Sequence, residues 1–113
     1  MRAPIIINVS NDDRKSGDLR VYDSIEAAER SLERYDADEP DIHAYDSEGL
    51  LLRIYPLDDG GAYLAPARDK PTHANVLREI VADFLLRSGC SIQVGSMTLD
   101  ALIQEAIQVA PKR

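Results

Sequence analysis

Asp41-Ile42-His43-Ala44-Tyr45-Asp46-Ser47-Glu48-Gly49-Leu50-Leu51-Leu52-Arg53-Ile54-Tyr55 sets two runs of strand-forming residues around a short polar turn, and this stretch decides the fold. Glycine enters the left-handed region without steric cost, so Gly49 closes a three-residue hairpin loop with a bulge. Pairing Asp46 with Leu50 fixes the register: Ala44 faces Leu52, Ile42 faces Ile54, and His43 faces Arg53. Side chains alternate across a strand. One side of the ribbon is therefore aliphatic, and the other carries His43, Tyr45, Arg53 and Tyr55.

On the C-terminal side, Pro56 ends the ribbon, Asp58-Asp59-Gly60-Gly61 turns, and Ala62-Tyr63-Leu64-Ala65 reads as a fifth strand that Pro66 marks as an edge. A helix beginning at Thr72 or His73 follows, with Val76, Leu77, Ile80, Val81, Phe84 and Leu85 as its apolar stripe and Gly89 at its C-terminal cap. Ser91 to Gly95 links to a last helix, capped by Thr98 and buried through Leu99, Leu102, Ile103, Ala106 and Ile107. On the N-terminal side, Pro4 to Val9 and Asp18 to Tyr22 are two strands joined by a long polar tip. Asp23 or Ser24 then caps a helix whose face is Ile25, Ala28, Leu32 and Tyr35, ended by Asp36 to Pro40. The order is ββαβββαα. The sequence predicts a single α+β domain over residues 1–113, with about five antiparallel strands and three helices on one face.

Extending the alternation puts Leu19, Val21, Ile42, Ala44, Leu52, Ile54 and Leu64 on the buried side. Opposite them fall Arg20, Tyr22, His43, Tyr45, Arg53, Tyr55 and Tyr63. Four of the five tyrosines then share a face, and Tyr35 belongs to the helix. Tyr and Arg are enriched at binding hot spots, although cross-strand tyrosine pairs also stabilise sheets with no partner.

Charge is localised more sharply than the total suggests. Asp36, Asp38, Glu39, Asp41, Asp46, Glu48, Asp58 and Asp59 stand against Arg53 alone within residues 36–59, which matches the −7 of the whole chain. Phosphate backbones and anionic membranes recruit Lys and Arg clusters, so this distribution disfavours nucleic acid and membrane as partners. It favours a basic protein. A single cysteine, Cys90, allows no internal disulfide, and no run approaches the length of a membrane span; the expected location is the reducing cytoplasm.

Catalytic, metal and cofactor motifs are not expected here. His43 and His73 lie thirty residues apart with no ligand spacing between them. Asp36-Ala37-Asp38-Glu39-Pro40-Asp41 opens like a calcium loop, yet Asp41 stands where the loop glycine belongs and Ser47 where the bidentate Glu belongs. Gly60-Gly61 lacks the Lys-Ser/Thr of a phosphate cradle, and Cys90 lacks a Cys-x-x-Cys partner.

The stretches Leu19-Arg20-Val21-Tyr22-Asp23-Ser24-Ile25-Glu26-Ala27-Ala28-Glu29 and His43-Ala44-Tyr45-Asp46-Ser47-Glu48-Gly49-Leu50-Leu51 resemble small proteobacterial proteins of largely unassigned function. Some of those are similar to the immunity proteins that neutralise toxins secreted by neighbouring cells. The resemblance covers residues 18–54, a third of the chain. It implies an acidic cytoplasmic inhibitor and assigns no functional residue. The leading expectation is a protein-binding module that meets a basic partner through Asp36, Asp38, Glu39 and Asp41 and through Tyr22, His43, Tyr45, Arg53, Tyr55 and Tyr63. The alternatives are a small enzyme or ligand-binding domain, with a sheet–helix pocket at His43 or Tyr63, and a homodimer.

Overall fold

Ile5-Ile6-Ile7 is apolar at three consecutive positions because its strand is covered on both sides. The computed structural model describes residues 1–10, 18–90 and 93–110. Among them are five strands: β1 (Ile5–Val9), β2 (Asp18–Tyr22), β3 (Ile42–Tyr45), β4 (Leu51–Pro56) and β5 (Ala62–Pro66). They form one antiparallel sheet in the order β2-β1-β3-β4-β5. The α-helices are α1 (Ile25–Arg30), α2 (Ala74–Arg87) and α3 (Leu99–Val109), so the α+β class and the ββαβββαα order are those read from the sequence. Residues 11–17 of the expected polar tip and residues 91–92 of the last link lie outside the described residues.

The register sorts side chains into two cores. Ile5 and Ile7 of β1 share a side with Tyr22, Ala44, Leu52, Ile54 and Leu64, and α1 packs there through Ala28 and Leu32. Ile6 shares the other side with Leu19 and Tyr45, under Leu77, Ile80, Val81 and Leu85 of α2 and Leu102, Ile103 and Ala106 of α3. Of the three helices expected on one face, α2 and α3 do share a face, and α1 lies on the other.

The phase of β2 also differs from the expected one. Because Ile5 pairs with Tyr22 and Ile6 with Val21, it is Leu19 and Val21 that turn toward α2 and α3. Tyr22 and Arg20 point to the α1 side, and Tyr22 is only 5% exposed. The reason is topological. β2 pairs with β1 and not with β3, so its own alternation does not say which phase matches the central ribbon.

Ser24 caps α1, its Oγ accepting from the Ala27 N–H at 3.1 Å. The helix ends after Arg30, where the Ser31 hydroxyl donates to the Ala28 carbonyl at 2.6 Å. A separate 3-10 turn, Arg34–Asp38, follows, and it carries Tyr35 out to 70% exposure, not onto the helical face. The Asp36 carboxylate starts this turn by accepting from the Glu33 N–H at 2.7 Å. At the far end of α2, Gly89 has φ +82°, and the Cys90 N–H reaches back to the Leu85 carbonyl at 3.1 Å, a left-handed helix cap.

The β3–β4 turn is the junction of the molecule. Asp46, 3% exposed, accepts from the N–H groups of Glu48 and Leu50 at 2.9 Å each and from that of Arg2 at 3.0 Å. The Ser47 N–H and hydroxyl both donate to the Arg2 carbonyl at 3.0 Å, which seals the N-terminal segment to the turn. Gly49, at φ +87°, accepts from the His73 N–H at 2.9 Å. A Cβ there would lie 2.4 Å from the backbone of Ala74, so the turn touches the start of α2.

Gly49→Ala combines a left-handed alanine with a backbone clash, and it is expected to cost roughly 2–4 kcal/mol. Asp46→Ala strands three backbone donors and is expected to cost about as much. Urea unfolding midpoints of the two variants against wild type measure both losses.

Candidate protein-binding surface

The α2–α3 pair covers the sheet from β2 across to β3 and stops at Leu51, leaving the rest of that side of β4 and β5 open. The residues there are Arg53 and Tyr55 from β4 with Tyr63 and Ala65 from β5, and His43 lies exposed on neighbouring β3. Tyr55 and Tyr63 are direct cross-strand partners. Their rings stack with centroids 5.1 Å apart and 16° between planes. The Arg53 guanidinium carbon stands 5.5 Å from the centre of the Tyr55 ring. A cation and two aromatic rings thus form one stack, with Tyr63 at its outer end, 41% exposed. Such a stack presents flat apolar area at low entropic cost, because cross-strand contact already restricts the rings.

The other expected binding residues fall elsewhere. Tyr45 is on the same side but buried under α2, its ring centroid 6.2 Å from that of His73. Burial pushes its hydroxyl pKa up. Tyr22 lies in the α1-side core. Asp36, Asp38 and Glu39 sit on or beside the 3-10 turn, which packs through Ala37 onto the α1 side of the sheet. Asp41 directly precedes β3, and its carbonyl accepts from the Ser10 N–H at 3.0 Å. Asp36, Asp38 and Glu39 are therefore on the opposite side of the sheet from the Arg–Tyr stack.

Glu29 of α1 makes a contact that the sequence does not signal. Its Oε2 accepts from the N–H of Leu64, on the outer strand, at 2.7 Å. A contact that spans 35 residues leaves no local pattern. Glu29 also lines a cleft of about 350 Å³ between α1 and the β4–β5 turn, shared with Glu26, Arg30, Leu32, Leu57 and Asp59. Two smaller clefts, about 290 and 220 Å³, lie at Tyr22 with Arg30 and at Asp46 with Arg2. Of the two residues expected at a pocket, Tyr63 lines the largest of these three and His43 lines none of them. Among the described residues no group of three or more His, Cys, Asp or Glu side chains is placed to hold a metal ion, and no helix is long and apolar enough to cross a membrane. Comparison with protein-family models, curated proteins and solved structures finds no match to this chain.

Two outcomes follow from this geometry. A double-mutant cycle with Tyr55→Ala and Tyr63→Ala is expected to return a coupling of about 0.5–1.5 kcal/mol in unfolding free energy. For Tyr45 the folded pKa exceeds the unfolded value near 10, so folding favours the neutral phenol. Its contribution is complete below pH 10 and is lost as pH rises from there through the folded pKa. Unfolding free energy measured across alkaline pH is expected to fall less steeply for Tyr45→Phe than for wild type.

Proposed function

We propose that this chain is a protein-binding module of the immunity type, an inhibitor of the cytoplasm that occludes a basic protein partner. The observation that carries the reading is the open Arg53–Tyr55–Tyr63 stack, placed where α2 and α3 stop covering the sheet. Short-range contact belongs to that stack, which offers aromatic area and one guanidinium in the composition typical of hot spots. Long-range attraction belongs to residues 36–59, whose eight acids face one arginine. Steering acts through the summed field and does not require the charges to touch the partner. The acids of this segment therefore raise the association rate, and the stack sets the lifetime of the complex. In this reading the protein acts by binding alone, with no catalytic step.

The test is affinity capture from the native cytoplasm with three baits: wild type, the Tyr55→Ala/Tyr63→Ala pair, and a charge reversal of Asp36, Asp38, Glu39 and Asp41 to lysine. A basic protein held by wild type is expected to be lost from the aromatic variant, with dissociation faster by roughly tenfold or more. The charge-reversed bait is expected to associate more slowly and with a flattened dependence on salt. Equal capture by all three baits refutes the proposal.

A further inference from the structure

β5 is an outer strand, so half of its backbone groups face away from the sheet. The ladder shows which half. Leu57 N–H donates to the Gly61 carbonyl at 2.9 Å and Ala67 N–H to the Leu51 carbonyl at 2.8 Å. Bonded pairs alternate in an antiparallel ladder. With Tyr55 opposite Tyr63 and Arg53 opposite Ala65, the residues of β5 that bond inward are Tyr63 and Ala65. Ala62, Leu64 and Pro66 turn their backbone groups outward. Pro66 has no N–H to offer. The Leu64 N–H is held by the Glu29 carboxylate at 2.7 Å, and that carboxylate occupies the line a further strand would take.

We propose that the outer edge of β5 is a self-pairing surface kept shut by Glu29, and that its occupant, once Glu29 is withdrawn, is a second copy of this chain. The spacing of the outward groups makes the edge match itself. An antiparallel copy related by a twofold axis at Leu64 exchanges two hydrogen bonds between the Leu64 backbones. It also lets each Ala62 N–H donate to the Pro66 carbonyl of the other copy. Every outward donor of the strand finds an acceptor, and the missing N–H of Pro66 falls where only its carbonyl is used. On the open face, Tyr63 of each copy comes opposite Ala65 of the other, a large residue against a small one. Unpaired backbone groups on an outer strand invite addition, and a carboxylate reaching from a helix is a direct way to deny it.

Three substitutions separate the reach of Glu29 from its charge. Glu29→Ala removes both. Glu29→Asp keeps the charge and is one methylene too short. Glu29→Gln loses the charge and still presents an oxygen to Leu64. Light scattering over a concentration series is expected to show dimerisation strengthened about tenfold or more in the Ala and Asp variants and unchanged in Gln. Hydrogen exchange at the Leu64 amide is expected to be fast in dilute Ala or Asp variant and slow again at high concentration. Circular dichroism confirms folding, and if the Ala variant fails to fold, the Asp variant decides. Dimerisation in Ala and Gln but not Asp overturns the proposal, because charge relief alone would then be the cause. It is equally overturned if no variant dimerises more than wild type, or if the dimer leaves the Leu64 amide unprotected.

Discussion

A buried carboxylate at a hairpin turn holds this molecule together. Asp46 accepts three backbone N–H groups, two from its own turn and one from Arg2, 44 residues away in sequence. Removing a charged oxygen from water is costly unless its lone pairs are filled, and here backbone donors fill them. The arrangement fixes the β3–β4 ribbon and brings the entrance of β1 against it. Gly49, three residues on, then lets the same turn lie on the backbone of Ala74. N-terminus, sheet and α2 meet within four residues, so the orientation of the α2–α3 layer depends on a turn that the sequence spells as Asp-Ser-Glu-Gly.

That turn was readable from the residues alone, and so was most of the secondary structure. Asp46 opposite Leu50, Ala44 opposite Leu52, the left-handed Gly49 and Gly89, and the Ser24 and Thr98 caps all follow from local chemistry. What escaped was relative phase. β2 alternates as a half-buried strand should, yet its phase is set by pairing with β1, and the two choices differ by one residue. A signal for the second layer was present in Ile5-Ile6-Ile7, since a strand covered on one side alternates and a strand covered on both does not. Tyr35 departs from the expected helical face for a different reason. The Ser31 hydroxyl and the Asp36 carboxylate both offer the backbone alternatives to a continued helix.

Half of the candidate surface was legible for the same reasons. Arg53, Tyr55 and His43 lie on the ribbon that fixes its own register, and Tyr63 follows through the next turn. Tyr45 shares their side but not their exposure, because coverage by α2 is a tertiary fact that alternation does not contain. Glu29 was hidden for the converse reason: its contact is tertiary and polar, and helix propensity explains a surface glutamate without it.

The two-helix layer is narrower than the sheet it rests on. Beyond Leu51 the sheet overhangs, and Arg53, Tyr55 and Tyr63 belong to neither core. Substitutions at these positions leave the packing of both cores as it is, so the overhang can vary while the scaffold stays constant.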